Sequence, residues 1–157
     1  MRANKLIQTK FKLKHMKKNL FTLITVITMT MTTAVKAQQT DLEHIETTLN
    51  YYLTGLVNND AKTLIKAFHP TATMKWIGKE YTEVNAIEGL TEGMDGTPLK
   101  EKIKTRVVSV SISGDAASAQ LEIQFPTFTY IDFMHVLKVD GKWKIVSKIF
   151  YTRQDAQ

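Results

Sequence analysis

The chain has no cysteine among its 157 residues. That absence excludes disulfides, a lipidated N-terminal cysteine, a thiol nucleophile and a thiolate metal site. Stability must come from a packed core, which a chain of this size can form as one domain. Histidine is also scarce. Beyond residue 37 only His44, His69 and His135 occur, and none stands at zinc-ligand spacing from another, so no metal is expected. No Gly-x-Ser-x-Gly, glycine-rich phosphate loop or EF-hand pattern is present, and no cofactor is expected. Internal repeats, low-complexity tracts and linkers are absent as well.

Acidic residues are missing from the first 37 positions, which hold eight of the 21 Lys and Arg. Seven of those eight lie in residues 1–18, and a 16-residue apolar and threonine stretch, Leu20–Val35, follows. Val35-Lys36-Ala37 then offers small or aliphatic residues at the positions a signal peptidase reads. The pattern predicts a signal peptide over residues 1–37, cleaved to leave Gln38 first. A spanning helix needs about 20 predominantly apolar residues, so no stable membrane anchor is expected after cleavage. Met16-Lys17-Lys18 is an alternative start to Met1. The remaining residues, 38–157, carry 13 basic and 15 acidic side chains, a net charge of −2. The high whole-chain pI thus resides in the leader and gives no reason to expect nucleic acid as a partner. The expected location is periplasmic or secreted.

Asp140-Gly141 between two apolar runs is a strong hairpin signal, because both residues tolerate the positive φ of a type I′ turn. Counting outward from that turn pairs Val139 with Lys142, Val136 with Ile145, Met134 with Ser147, Asp132 with Ile149 and Tyr130 with Tyr151. One face of the hairpin then carries Tyr130, Asp132, Met134, Val136, Trp143, Ile145, Ser147, Ile149 and Tyr151. The other carries Ile131, Phe133, His135, Leu137, Lys144, Val146, Lys148 and Phe150. The first face, poor in lysine, is the one expected beneath helices. A slip of one residue would exchange the faces. Asp132 becomes a carboxylate on a covered apolar face, where it needs a partner. It either bonds a tyrosine or a backbone amide and orients the sheet, or it meets a ligand.

Upstream, Thr40-Asp41-Leu42-Glu43 fits a capping box, and Leu42, Ile45, Leu49, Tyr52, Leu53 and Leu56 recur at helical spacing to about Asn58-Asn59. Asp60 can cap a second helix, Ala61 to Phe68, which His69-Pro70 would stop. Strands follow over Ala72–Ile77 and Glu80–Thr82, then a helix over Val84–Glu92. Lys102–Ser113 reads as a long strand whose apolar phase changes between Val107 and Val108, the mark of a β-bulge. Ala117–Phe125 alternates core and solvent positions. The basic run Lys100, Lys102, Lys104 and Arg106 suits a solvated edge. Helices followed by an antiparallel meander predict an α+β fold, a cone of three helices on a strongly bent antiparallel sheet.

The helix–Asn-Asp–helix opening (Tyr51 to Asp60), Phe68-His69-Pro70-Thr71-Ala72, and Asp140-Gly141-Lys142-Trp143-Lys144-Ile145-Val146 resemble the nuclear transport factor 2-like superfamily, with its cystatin-like fold. The Tyr130–Asp132 spacing before the Trp143 hairpin is most similar to its lumazine-binding, SnoaL-like branch. The resemblance implies a small-molecule ligand of the pteridine kind, a core role for Trp143, and a homodimer formed through the outer sheet face. It also invites comparison with the superfamily's enzymes. A ketosteroid isomerase-like site would use Tyr51 or Tyr52 with Asp132, but no Asp or Glu occurs from Thr71 to Ile77 to act as base. An epoxide hydrolase-like site would use Arg106 and Asp132 and lacks a second aspartate. For a dehydratase-like pair, His135 should face away from Asp132, which leaves His69.

The expected function is an exported small-molecule-binding domain. Asp132, Tyr130, Ser147 and Tyr151 would line the cone, and Tyr52 and Trp76 would close it around a flat heterocycle. Two alternatives stand beside it. One is an isomerase, dehydratase or cyclase using Asp132 with a tyrosine or His69. The other is a dimeric protein-interaction module.

Overall fold

Asn58-Asn59-Asp60 turns the chain between its first two helices. Asn59 takes a left-handed conformation (φ 53°), which asparagine tolerates better than most residues. The Asp60 carboxylate then accepts the amides of Lys62 and Thr63 at 3.0 and 3.2 Å, capping the next helix. In a computed structural model that describes residues 39–155, the compact unit begins at Asp41. The expected signal peptide falls outside the described residues.

The unit opens with α1, helical over described residues 39–57 and within this unit from 41, and α2 (Ala61–Ile65). Strands β1 (Phe68–Ile77) and β2 (Tyr81–Asn85) form a hairpin, and α3 (Ala86–Thr91) follows. Strands β3 (Lys104–Ser113), β4 (Ala116–Gln124), β5 (Phe128–Val139) and β6 (Lys142–Gln154) complete the chain. The sheet order is β2-β1-β6-β5-β4-β3. All neighbours are antiparallel except β1 and β6, which run parallel. The fold is α+β, as expected, but the sheet is mixed. Because the meander of β3 to β6 closes back beside β1, the last strand arrives in the same direction as the first.

Helix α1 is amphipathic and lays its apolar side on the sheet. Ile45, Leu49, Tyr52 and Leu53 are buried with Leu121, Ile123, Met134, Val136 and Ile145 from the strands. Polar contacts fix its angle. Asp41 accepts from Lys138 Nζ at 2.8 Å and from the Trp143 indole at 3.0 Å. The Thr48 hydroxyl donates to the Trp143 carbonyl at 3.0 Å. Trp143 is core, as the resemblance implies.

Two strands are bent by one extra residue each. In β3, Val107 pairs with Leu121 and Ser109 with Gln120, leaving Val108 as the bulge that the phase change predicts. The second bulge was not anticipated. Val136 pairs with Ile145 but His135 with Ser147, so Val146 is extra. Beyond it the hairpin register moves by one residue. Asp132 faces Phe150 rather than Ile149, and Tyr130 faces Thr152 rather than Tyr151. The second helix is also shorter than expected. It stops at Ile65, and Phe68 already pairs with Ile145 in the parallel ladder. The Ile145 amide donates to the Ala67 carbonyl at 2.9 Å, which holds this segment extended. His69 therefore lies in a strand and not at a helix end.

Gly55 lets the backbones of α1 and α2 touch. A Cβ there would meet Leu64 N at 2.5 Å and Leu64 Cα at 2.7 Å. Helix propensity alone would favour alanine by about 1 kcal/mol. Overpacking against immovable backbone costs about 1–3 kcal/mol or more, and this term should win. Gly55→Ala is expected to lower the unfolding free energy by about 2 kcal/mol in a denaturant titration. A more stable variant would show that α2 can shift away at little cost.

Candidate functional site

The Val146 bulge decides what Asp132 meets. Without it, Lys148 would point out of the sheet. With it, Lys148 turns inward opposite Met134 and diagonal to Asp132. Lys148 and Asp132 form an ion pair, Nζ to Oδ1, with only 4% and 0% of their side chains exposed. From α1, the Tyr52 hydroxyl donates to Asp132 Oδ2 at 2.7 Å. The Lys148 ammonium also lies over the Phe150 ring at 4.3 Å and near the Tyr52 ring at 5.8 Å. An amine, a carboxylate and a phenol thus converge from β6, β5 and α1 in the core.

Burial and charge act on these groups in opposite senses. Burial lowers the Lys148 amine below the usual lysine range, and the Asp132 charge and bond pull it back only in part. Burial raises the Tyr52 phenol well above its usual range, and the neighbouring Asp132 charge raises it further. Tyr130 is raised for the same two reasons, burial first.

The packing beside this group is aromatic. Tyr130 and Phe150 are half-buried and meet edge to face at 5.5 Å. Trp76 packs on Phe150 at 5.5 Å, and Phe128 and Phe125 extend the cluster from Tyr130. Tyr130, Tyr52 and Trp76 therefore lie on the helix side with Asp132, as expected. Ser147 and Tyr151 do not. The bulge turns them to the outer face, where Ser147 pairs with exposed His135 and Tyr151 is 65% exposed. His69 is bonded to Thr71 through Nδ1 at 2.8 Å, and its described contacts do not include Asp132. Arg106 pairs with Glu122 at 2.7 Å on edge strand β3, so it does not complete an epoxide hydrolase-like set. Lys148 and Phe150, expected outside, lie inside, just as Ser147, Ile149 and Tyr151, expected inside, lie outside. The run Ile145-Val146-Ser147-Lys148-Ile149-Phe150 carries no local signal for this, since its one lysine reads as an outward residue.

Ile149 and Tyr151, turned outward, join Phe133, Ile77 and Tyr81 on the outer sheet face, all exposed. They border a groove of about 300 Å³ at the edge of that face together with Lys75, Trp76 and Phe150. A second depression of about 230 Å³ lies between α1 and the tip of the β5–β6 hairpin. Neither cavity is lined by Asp132. Among the described residues no cluster of three or more His, Asp and Glu could hold a metal ion, and no helix is long and apolar enough to cross a membrane.

Helices laid on the inner face of a curved mixed sheet define a nuclear transport factor 2-like protein. Residues 40–151 match the family described as "Putative lumazine-binding", and the chain belongs to that family. The chain is similar to a nuclear transport factor 2-like protein of unknown function from Shewanella baltica, with 30% identity and a TM-score of 0.67 over 74% of this chain and 96% of that one. A nuclear transport factor 2-like protein from Methylobacillus flagellatus is 28% identical, with a TM-score of 0.63 over 74% and 93% of the two chains. The chain is also 28% identical over 103 residues to aldolase FrzH of a Cladobotryum species, covering 64% of this chain and 82% of the aldolase.

The Tyr52 phenol gives the group a pH signature. Its folded-state proton is held more tightly than the ordinary value of about 10 in the unfolded chain. Above that pH the unfolded chain loses a proton that the folded chain keeps, so this contribution falls as pH rises. Tyr52→Phe leaves Asp132 Oδ2 without its donor and should cost about 1.5–3 kcal/mol at neutral pH. The gap to the unsubstituted protein should narrow above about pH 10 in denaturant titrations. A constant gap through the alkaline range would show that the phenol is not held in its protonated form.

Proposed function

We propose that the chain is a small-molecule-binding domain whose ligand enters the aromatic side of the cone and sets its polar edge on Asp132, Lys148 and Tyr52. The observation that carries this reading is the buried amine–carboxylate–phenol group behind half-buried Tyr130 and Phe150. Buried charge is costly unless paired, and a core needs none. With the Tyr52 proton given to Asp132, the group still offers Lys148 N–H donors beside acceptor lone pairs on Asp132 and the Tyr52 oxygen. That order complements the N–H and C=O edge of a cyclic amide such as a pteridinedione, and the rings at Trp76, Tyr130 and Phe150 suit a flat heterocycle. The family's description as lumazine-binding supports the same ligand class. The charge and apolar pattern of residues 1–37 supports export to the periplasm or medium, with 38–157 as the working domain.

A second reading has a specific observation behind it. Tyr52 and Asp132 share a 2.7 Å bond, the pairing a proton-transfer enzyme of isomerase, dehydratase or cyclase type would use. A relative that bears the name of an aldolase adds weight to carbonyl chemistry in this family.

The exposed outer face also fits a second copy of the chain. Exposed apolar patches beyond a few hundred Å² mark interfaces, and Phe133, Ile149 and Tyr151 stand together there. Ile149→Asp should shift a dimer towards monomer in sedimentation velocity. A monomer at high micromolar concentration before substitution would refute the pairing.

The cone reading is tested by titrating lumazine into the protein and into Asp132→Asn. The variant keeps shape and loses charge. Binding is expected to weaken by at least tenfold, about 1.4 kcal/mol, at a temperature where both proteins are folded. If the chain is an enzyme, turnover should fall far more than affinity. Equal lumazine affinity in the two proteins would remove Asp132 from the site.

A further inference from the structure

Lys148 is out of place as a structural cation. Its ammonium has three donors, and its described partners are one carboxylate oxygen and the faces of two rings. A surface position would have cost nothing, and a core apolar residue would have avoided the desolvation penalty. The bulge that turns Lys148 inward also sets it on the same carboxylate that accepts the Tyr52 hydroxyl. We propose that Lys148 is a nucleophilic amine that condenses with an aldehyde or ketone carbonyl bound in the cone to form an imine. The proposal rests on the reading that the cone takes a small ligand, and it specifies the reactive class of that ligand.

The residues present suffice for the step. Lys148 passes a proton to the Asp132 carboxylate, and its neutral Nζ attacks the carbonyl carbon. The C–N bond forms as the C=O π pair moves to oxygen. A proton passes from nitrogen to that oxygen through the Tyr52 hydroxyl, giving a carbinolamine. The Asp132 carboxylic acid protonates the carbinolamine oxygen, the C–O bond breaks, and water leaves. The products are a protonated imine, water and the Asp132 carboxylate. Atoms and charge balance without an outside oxidant or reductant. Burial favours the neutral amine that the attack needs. The protonated imine then sits against Asp132, which is placed to take a proton from the adjacent carbon. Access requires rotation of Phe150, the half-buried ring that the ammonium faces at 4.3 Å.

The full chain is incubated with 2,4-pentanedione, a small 1,3-diketone that condenses with neutral amines to an absorbing vinylogous amide, and the adducts are mapped by peptide mass spectrometry. An amine in water is almost wholly protonated near neutral pH and condenses slowly. Lys148 is expected to react at least tenfold faster than any other lysine, and Lys148→Met should abolish the fast absorbance phase. Because Lys148→Met strands Asp132 and can unfold the chain, mapping on the unsubstituted protein is decisive by itself. Near-ultraviolet circular dichroism checks that labelling occurs in the folded protein. An adduct pattern confined to surface lysines, or labelling of Lys148 only in unfolded protein, would overturn the proposal. Lumazine titration of the same preparation separates the two claims. Lumazine binding without a Lys148 adduct sinks the amine and leaves the cone reading standing. Failure of both sinks both.

Discussion

The ion pair between Asp132 and Lys148 is the constraint around which the rest of the domain is arranged. Each charge taken from water costs several kcal/mol, and only close geometry with further bonds offsets it. The offset here draws on three separate elements. β5 presents the carboxylate, β6 the ammonium and α1 the phenol. An error in the register of either strand, or in the docking of α1, would leave a buried charge unpaired. Breaking such a pair costs about 3–5 kcal/mol, a large share of a typical domain's total stability. The pair therefore discriminates against misregistered alternatives more than it adds stability.

Val146 carries much of this discrimination. One extra residue in β6 exchanges the two faces of everything after it. It sends Lys148 and Phe150 inward and Ile149 and Tyr151 outward. The polar group in the core and the apolar patch on the outer face are thus products of a single backbone irregularity. A sheet face and its reverse cannot vary independently when one bulge sets both.

The parts of this fold that could be read in advance are those governed by local chemistry. The Asp140-Gly141 turn, with φ of 50° and 74°, follows from two residues that tolerate left-handed backbone. The Asp60 cap, the apolar stripe of α1 and the Val108 bulge are likewise written in short patterns. Asp132 was correctly placed on the covered face, with Tyr52 and Tyr130, because β5 alternates cleanly. The Val146 bulge was not legible. Val146, Ile149 and Phe150 satisfy either phase of an apolar strand, and a lysine in such a strand reads as an outward residue unless its partner is known. The parallel contact between β1 and β6 was equally hidden. It joins segments far apart in the chain, and no local signal at Phe68 distinguishes a strand start from the last turn of a helix.

That parallel contact also governs when the protein can fold. β1 lies between β2 and β6, and β6 is the last strand of the described residues. As the chain is made, β1 of the first hairpin has β2 beside it but lacks β6, and Tyr52 lacks the Asp132 carboxylate. Non-local pairing of this kind delays folding until the loop can close. The N-terminal half keeps part of its apolar side uncovered until β6 is there to pair with β1. The folding of this domain is therefore set by the arrival of β6, and its first helices and hairpin stay uncommitted until then.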